Sequence, residues 1–139
     1  MSAKLRLVEV NVHRAADLDT IVAAIRREQS CGVFVAPSSF FAEHQLEVIG
    51  LMARYGLPAV YGFRGQVERG GLLSYGVDAL QTSRDVASYV DRILRGEKPG
   101  DLPVTQPTKY ELVVNLKTAN ALGLTVPPTL LARGAEVIE

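Results

Sequence analysis

Short apolar runs alternate along this chain with longer stretches of helical periodicity. Residues 5–10, 32–36, 58–61 and 72–75 are apolar runs typical of strands, and helices are predicted over residues 18–28, 41–55 and 77–94. Strands separated by amphipathic helices form right-handed βαβ units, in which consecutive strands lie parallel. The pattern therefore predicts an α/β fold with an open, mostly parallel sheet flanked by helices.

The remainder of the chain predicts one more strand and two short helical segments. Residues 110–116 form the strongest strand pattern, residues 117–122 a short helix that ends at Gly123, and Pro127–Pro128 the start of a helical turn. With 139 residues, of which 47% are hydrophobic, the chain can bury one core. We therefore expect residues 1–139 to be a single domain.

Charge and cysteine content narrow the class of protein. Lysine plus arginine and aspartate plus glutamate number 15 each, so no overall field favours a nucleic acid or an anionic membrane. The single cysteine, Cys31, allows no intrachain disulfide and is expected to pack as a small buried hydrophobe. No apolar segment approaches the roughly 20 residues that span a bilayer. As written, the chain has no signal-peptide pattern and would stay in the cytoplasm.

The stretch over residues 58–76 is the candidate site. It begins as an apolar strand, breaks at Gly62, passes through a charged, turn-prone segment and re-enters a strand after Gly70–Gly71. Ligands of open parallel sheets bind outside the carboxyl ends of strands, where such loops lie. The aromatic, arginine, serine and glycine content predicts a small-molecule site, and an ordinary exposed loop is the alternative.

Catalytic, metal and cofactor motifs are absent from the sequence. It contains no nucleophile elbow, phosphate-binding loop or dinucleotide-binding fingerprint. His44 and Glu47 are spaced for one helix face, but no third metal ligand is near, so a solvated face is preferred. Ser38 or Ser39 is expected to cap a helix or to form a hydrogen bond with a ligand, since no histidine or aspartate is placed to activate either one. A small serine hydrolase is therefore the weakest alternative, and we expect neither an enzyme nor a cofactor.

Several motifs resemble one protein family. The pattern P-A-x-Y-G-F-R…V-E-x-G-G-L-x-S-Y-G (residues 58–76) is followed by Y-V-D-R-I-L-R-G-E-K-P (89–99) and L-K-T-A-N-A-L-G-L-T-V-P-P-T-L-L (116–131). These motifs closely resemble the carboxyl-terminal part of the ABC transporter substrate-binding proteins of the tryptophan/tyrosine type. The resemblance implies a type I periplasmic binding protein fold, in which two α/β lobes close on a ligand. Residues 1–139 would then be equivalent to the carboxyl-terminal lobe, a partial structure of that type.

The resemblance also implies a set of ligand contacts. Phe63 and Tyr75 would offer ring faces to an aromatic or aliphatic group, and Arg64 would neutralise a carboxylate. Alternatively, Tyr61 and Tyr75 belong to the core and Arg64 is a surface charge. The E-F that usually follows G-F-R is Gly65–Gln66 here, which weakens any inference about which ligand binds. The predicted ligand-binding residues are Pro37, Ser38, Tyr61, Gly62, Phe63, Arg64, Gly71, Ser74 and Tyr75.

Partners and location follow from the same resemblance. Family members bind a small organic solute such as an amino acid, pass it to an ABC permease, and are periplasmic or membrane-anchored. They are about twice this length, and their helix equivalent to residues 77–94 packs on the amino-terminal lobe. Without that lobe the helix would lose its cover, so we expect a homodimer or larger homo-oligomer, with exchange of residues 77–139 as one form. A self-associating structural fragment without a ligand is the alternative.

Overall fold

A computed structural model describes residues 6–28, 32–132 and 136–139 of the chain. The sequence patterns form helices and strands that alternate over most of this length. Within these ranges the α-helices are α1 (Leu18–Arg27), α2 (Ser39–Glu43), α3 (Gln45–Arg54), α4 (Arg64–Glu68), α5 (Ala79–Leu94), α6 (Leu116–Ala121) and α7 (Pro128–Leu131). The strands are β1 (Val33–Phe34), β2 (Ala59–Tyr61), β3 (Leu73–Val77), β4 (Tyr110–Asn115) and β5 (Glu136–Ile138).

The strands form one sheet in the order β1-β2-β3-β4-β5. The pairs β1–β2, β2–β3 and β4–β5 are parallel, and β3–β4 is antiparallel. The chain leaves β3, runs along α5 and returns to the same edge of the sheet, where the Asp78 N–H donates to the Lys109 carbonyl at 3.1 Å. Strand β4 must therefore run back against β3. The predicted mostly parallel, open α/β sheet is confirmed.

The prediction of a strand over residues 5–10 is wrong for residues 6–10, the part of it that the structure describes. Residues 6–10 are in no strand, and Leu7 is 89% exposed. A strand is stable only when a neighbouring strand takes up its backbone hydrogen bonds, and β1 pairs only with β2 in the described structure. Alternating apolar residues indicate an extended backbone but supply no such neighbour.

The helical predictions differ from the structure in two places. The helix predicted over residues 41–55 is two helices, α2 and α3, which meet at His44. Part of the segment predicted as a charged turn forms α4. Gly56 ends α3 with φ of 62°, as expected of a residue that follows a helix. Strand β5 was not predicted, and the prediction for Cys31 lies outside the described residues.

The main core lies between one face of the sheet and the helices α1 and α3. It contains Leu18 of α1, Ile49 and Met52 of α3, and Tyr61 of β2, all of them buried. On the same face, Val67 of α4 is fully buried. Helix α5, by contrast, has no buried residue along its described length. Among the described helices none has the length and apolar character needed to cross a bilayer.

Candidate functional site

The ends of the three parallel strands β1, β2 and β3 meet at one edge of the sheet. The segments at this edge approach so closely that an added Cβ atom would overlap a neighbour at each of two glycines. A Cβ atom on Gly62 would lie 2.5 Å from Pro37 Cγ, and one on Gly76 would overlap the Gly62 carbonyl oxygen. Pro37, Gly62 and Gly76 therefore form a closely packed row below the loops of this edge.

A polar side chain supports the start of each helix that leaves this edge. Ser38 Oγ accepts the Phe41 N–H at 3.2 Å, and an Asp78 carboxylate oxygen accepts the Gln81 N–H at 3.0 Å. At the start of α4, Gln66 Oε1 accepts the Phe63 N–H at 3.2 Å. These caps hold the three loops in place. The Ser38 hydroxyl thus caps a helix, as the sequence predicts for Ser38 or Ser39.

A cavity of about 580 Å³ lies against this edge, within the size range of small-molecule sites. One wall comes from the loop after β2, and another from the end of β3 and the start of α5. The return segment and the first residues of β4 and β5 complete the lining. It combines apolar and charged side chains: Phe63, Arg64, Val77, Asp78, Leu80, Lys109, Glu111 and Glu136.

Arg64 is the centre of an ion-pair cluster in this cavity. Its Nε donates to Glu68 Oε1 at 2.7 Å, its two Nη atoms donate to the carboxylate of Glu136, and Nη1 lies 3.9 Å from Glu111. The hydrogen bonds that Arg64 donates to Glu136 and Glu68 raise the pKa of Arg64, and Arg64 in turn lowers the pKa of Glu136. Arg64 is therefore charged but already bound to carboxylates of its own chain.

A second ion pair lies in the lining of the same cavity. Lys109 Nζ lies 2.7 Å from Asp78 Oδ2. Hydrogen bonds from Lys109 and from the Gln81 backbone hold the pKa of Asp78 below its usual value. Both signs of charge are thus fixed around an apolar wall at neutral pH.

The structure places the predicted ligand residues in three groups. Phe63 and Arg64 line the cavity, and Pro37, Ser38 and Gly62 lie at the same edge of the sheet. Tyr61 and Ser74 are buried, and Gly71 precedes β3, at the end of that strand away from the cavity. Tyr75 is 59% exposed and stacks on Tyr110 with ring centroids 5.7 Å apart.

Burial decides the role of Tyr61. Its ring packs in the core against Gly71, where a Cβ atom would lie 2.8 Å from Tyr61 Cε2. Burial raises the pKa of Tyr61 to about 12. Tyr61 therefore lies in the core and does not line the cavity.

Four charged residues of the cavity were not predicted from the sequence. Lys109, Glu111 and Glu136 are distant in sequence from the 58–76 stretch, and the strand pairs β3–β4 and β4–β5 bring them to it, whereas Asp78 follows the stretch by two residues. The strong strand pattern of residues 110–116 was the available signal. Such a pattern does not show in which direction the strand runs in the sheet. His44 Nδ1 lies 3.4 Å from Glu47 Oε2, and the described ranges contain no group of three metal-ligating side chains.

Comparisons with solved structures show where this fold recurs. A conserved domain protein from Vibrio cholerae O1 biovar El Tor strain N16961 is 30% identical, with a TM-score of 0.85 over 96% of this chain and 45% of its own. An ABC domain in complex with L-Trp from Streptococcus pneumonia is 24% identical, with a TM-score of 0.77 over 88% of this chain and 42% of its own. The ligand-free, open structure of a substrate-binding protein with adhesive properties from Clostridium difficile is 20% identical, with a TM-score of 0.63, and covers 95% and 43% of the two chains.

This chain thus spans less than half the length of these structures. No curated protein matches it significantly. The sequence pattern of one family, described as ABC transporter substrate binding protein, matches residues 1–138. The chain therefore belongs to the ABC transporter substrate binding protein family.

Proposed function

We propose that this chain binds a small zwitterionic solute, such as an amino acid, in the cavity at the carboxyl edge of its sheet, without catalysis. The observation that carries the proposal is the pairing of both charge signs with an apolar wall in one cavity. A free amino acid carries a carboxylate, an ammonium group and a side chain, and so needs all three features. The L-Trp bound to the Streptococcus relative supports the same class of solute.

The side chains of the cavity suggest a role for each part of the solute. Arg64 and Lys109 would bind the carboxylate, and Glu111 or Asp78 would accept hydrogen bonds from the ammonium group. Phe63 and Leu80, which are 44% and 61% exposed, would pack against an apolar side chain of the solute. Because Glu136 already occupies Arg64, the solute carboxylate would have to displace it or share the guanidinium.

The same proposal places the chain in an uptake system. As a solute-binding component it would deliver its solute to an ABC permease, on the extracytoplasmic side of the membrane, as family membership implies. We further propose that residues 1–139 are one domain equivalent to the carboxyl-terminal lobe of a type I periplasmic binding protein. A lobe of this kind contacts one side of a ligand, so we expect weak affinity. We also propose a homo-oligomeric state, because exposed sheet edges can pair with another chain.

Calorimetric titration with single amino acids tests the proposal. We expect binding of at least one apolar or aromatic amino acid, and a loss of about tenfold or more in affinity in Arg64→Ala, because a charge-assisted hydrogen bond is removed. Arg84→Ala is the matched control, since Arg84 lies on α5 outside the cavity lining. If no amino acid binds at millimolar concentration, or if both variants bind like the parent chain, the proposed site is wrong.

A further inference from the structure

The charges around the cavity do not balance. Its described lining contains two cations and three carboxylates, those of Arg64, Lys109, Asp78, Glu111 and Glu136. Glu68, which accepts a hydrogen bond from Arg64 at 2.7 Å, adds a fourth carboxylate beside them. An excess of negative charge in a cavity attracts cations and opposes the entry of anions. The lining therefore favours the ammonium end of an amino acid over its carboxylate end.

Both cations of the lining already have carboxylate partners. The two Nη atoms of Arg64 donate to the two oxygens of Glu136, and Lys109 Nζ lies 2.7 Å from Asp78 Oδ2. The carboxylate of a solute would have to compete with these partners. The Lys109 side chain is also 65% exposed, so water screens any further ion pair that it makes. The carboxylate end of a solute therefore gains less here than an unopposed ion pair would give.

The start of α5 is also occupied by a carboxylate of the chain. The first N–H groups of a helix attract anions, but here Asp78 Oδ1 accepts the Gln81 N–H at 3.0 Å. The other oxygen of Asp78 is paired with Lys109. Because both of its oxygens are engaged, Asp78 is a poor partner for an ammonium group.

Glu111 is the carboxylate of the lining that accepts no hydrogen bond from another described residue. Its ion-pair contact with Arg64 Nη1 is 3.9 Å long, which is beyond hydrogen-bond distance. Its side chain is 26% exposed and is thus partly removed from water. Its cross-strand neighbour is Gly76, which has no side chain to pair with it. A partly buried carboxylate without a donor is unfavourable, and an ammonium group would supply the missing donor.

We propose that the cavity recognises its solute chiefly by the ammonium group, with Glu111 as the residue that accepts its hydrogen bonds. The ligand class is then a primary amine with an apolar body, of which an apolar amino acid is one member. Phe63 and Val77, in the same lining, contact that body. The inference rests on the solute site proposed above and adds to it that the ammonium group contributes more affinity than the carboxylate.

Matched compounds that lack one charged group test this order. L-phenylalanine is compared with 2-phenylethylamine, which lacks the carboxylate, and with 3-phenylpropionate, which lacks the ammonium group. L-leucine, 3-methylbutylamine and 4-methylpentanoate repeat the comparison with an aliphatic body. In calorimetric titration of the parent chain, loss of the carboxylate is expected to weaken binding by no more than about tenfold, and loss of the ammonium group by about a hundredfold.

Glu111→Gln tests the assigned residue, because it removes the charge and keeps the size of the side chain. We expect affinity for L-phenylalanine and for 2-phenylethylamine to fall by the same factor, about tenfold or more. Binding of 3-phenylpropionate should not weaken, whereas a structural defect would weaken binding of all three compounds. Glu43→Gln is the matched control, since Glu43 lies at the end of α2, outside the cavity lining. It should bind all three like the parent chain.

The outcomes separate this inference from the solute site itself. The inference is wrong if neither amine binds at millimolar concentration, or if each deaminated acid binds as tightly as its amine. Binding of the amino acids in either case would leave the proposed solute site in place. Amines that bind when no amino acid does would support the inference and contradict the amino-acid proposal.

The variant supplies a separate check. A Glu111→Gln chain that binds 2-phenylethylamine like the parent chain would contradict the role of Glu111. Thermal unfolding shows whether the variant folds, and the compound series on the parent chain remains decisive if it does not.

Discussion

At the scale of single residues, the clearest determinant of the site is the contact between two glycines. Gly62 and Gly76 allow neighbouring strand ends to touch, because a Cβ atom at either position would enter an adjacent residue. Neither has positive φ, so the requirement is space rather than backbone conformation. The glycine content of the 58–76 stretch was interpreted as part of a small-molecule site, but at these two positions the close contacts are with the protein itself.

Gly76→Ala is expected to lower the free energy of unfolding by on the order of 3 kcal/mol, because backbone atoms of β2 and β3 must separate. Gly50→Ala is the matched control. Gly50 lies within α3, where an added Cβ meets nothing within 4 Å, and alanine should stabilise the helix by about 0.5–1 kcal/mol. Urea unfolding measures both values. An equal effect of the two substitutions would contradict the proposed contact.

Tyr61 makes stability depend on pH in the alkaline range. Burial raises its pKa from the ordinary 10.0 to about 12, so between these values the folded state retains a proton that the unfolded state loses. The contribution of Tyr61 to the free energy of unfolding is fully present below pH 10. It is lost as pH rises toward 12, which lowers stability by about 2–3 kcal/mol in total.

Tyr61→Phe removes this titration and should make the free energy of unfolding less dependent on pH between 10 and 12. Titration of the lysines affects the parent chain and the variant equally. Denaturant unfolding from pH 9 to 12 compares them, and absorbance of the phenolate follows the proton directly. Identical profiles for the parent chain and the variant would show that Tyr61 is not buried as described.

At the scale of elements, sequence patterns predicted β1 to β4, missed β5 and failed for residues 6–10, which pair with no strand in the described structure. The 58–61 and 110–116 runs became β2 and β4, since continuous apolar residues fit a strand in a sheet. The break at His44 and the short helix α4 depend on local caps, including the Gln66 side chain on the Phe63 N–H. Hydrophobic periodicity does not predict such polar contacts.

Only part of the cavity lining was predictable from the sequence, because the rest depends on contacts between segments that are distant in sequence. Phe63 and Arg64 follow a strand end that the sequence shows, whereas Glu136 reaches Arg64 across 72 positions of the chain. The buried side chain of Asn115 also connects segments that are distant in sequence, namely α4 and the start of α6. Asn115 donates from Nδ2 to the Val67 carbonyl at 3.2 Å and caps α6 by accepting the Thr118 N–H at 2.9 Å. Pairings over such distances follow from strand order and direction, which periodicity does not contain.

At the scale of the whole molecule, the fold separates the candidate site from the main core. The cavity lies where β2 and β3 end, whereas the core lies between the sheet and the helices α1 and α3. Substitution of a cavity residue such as Arg64 therefore tests solute binding without removing a residue of that core.

The most direct test of the central claim is to map the solute on the protein by NMR. Backbone amide shifts of the labelled chain are followed during titration with the amino acid that binds most tightly in calorimetry. We predict that the largest shifts fall at residues 63–65, 77–80 and 109–111, which line the cavity. Shifts confined to other regions, or none at saturating solute, would contradict a solute site at the carboxyl edge of the sheet.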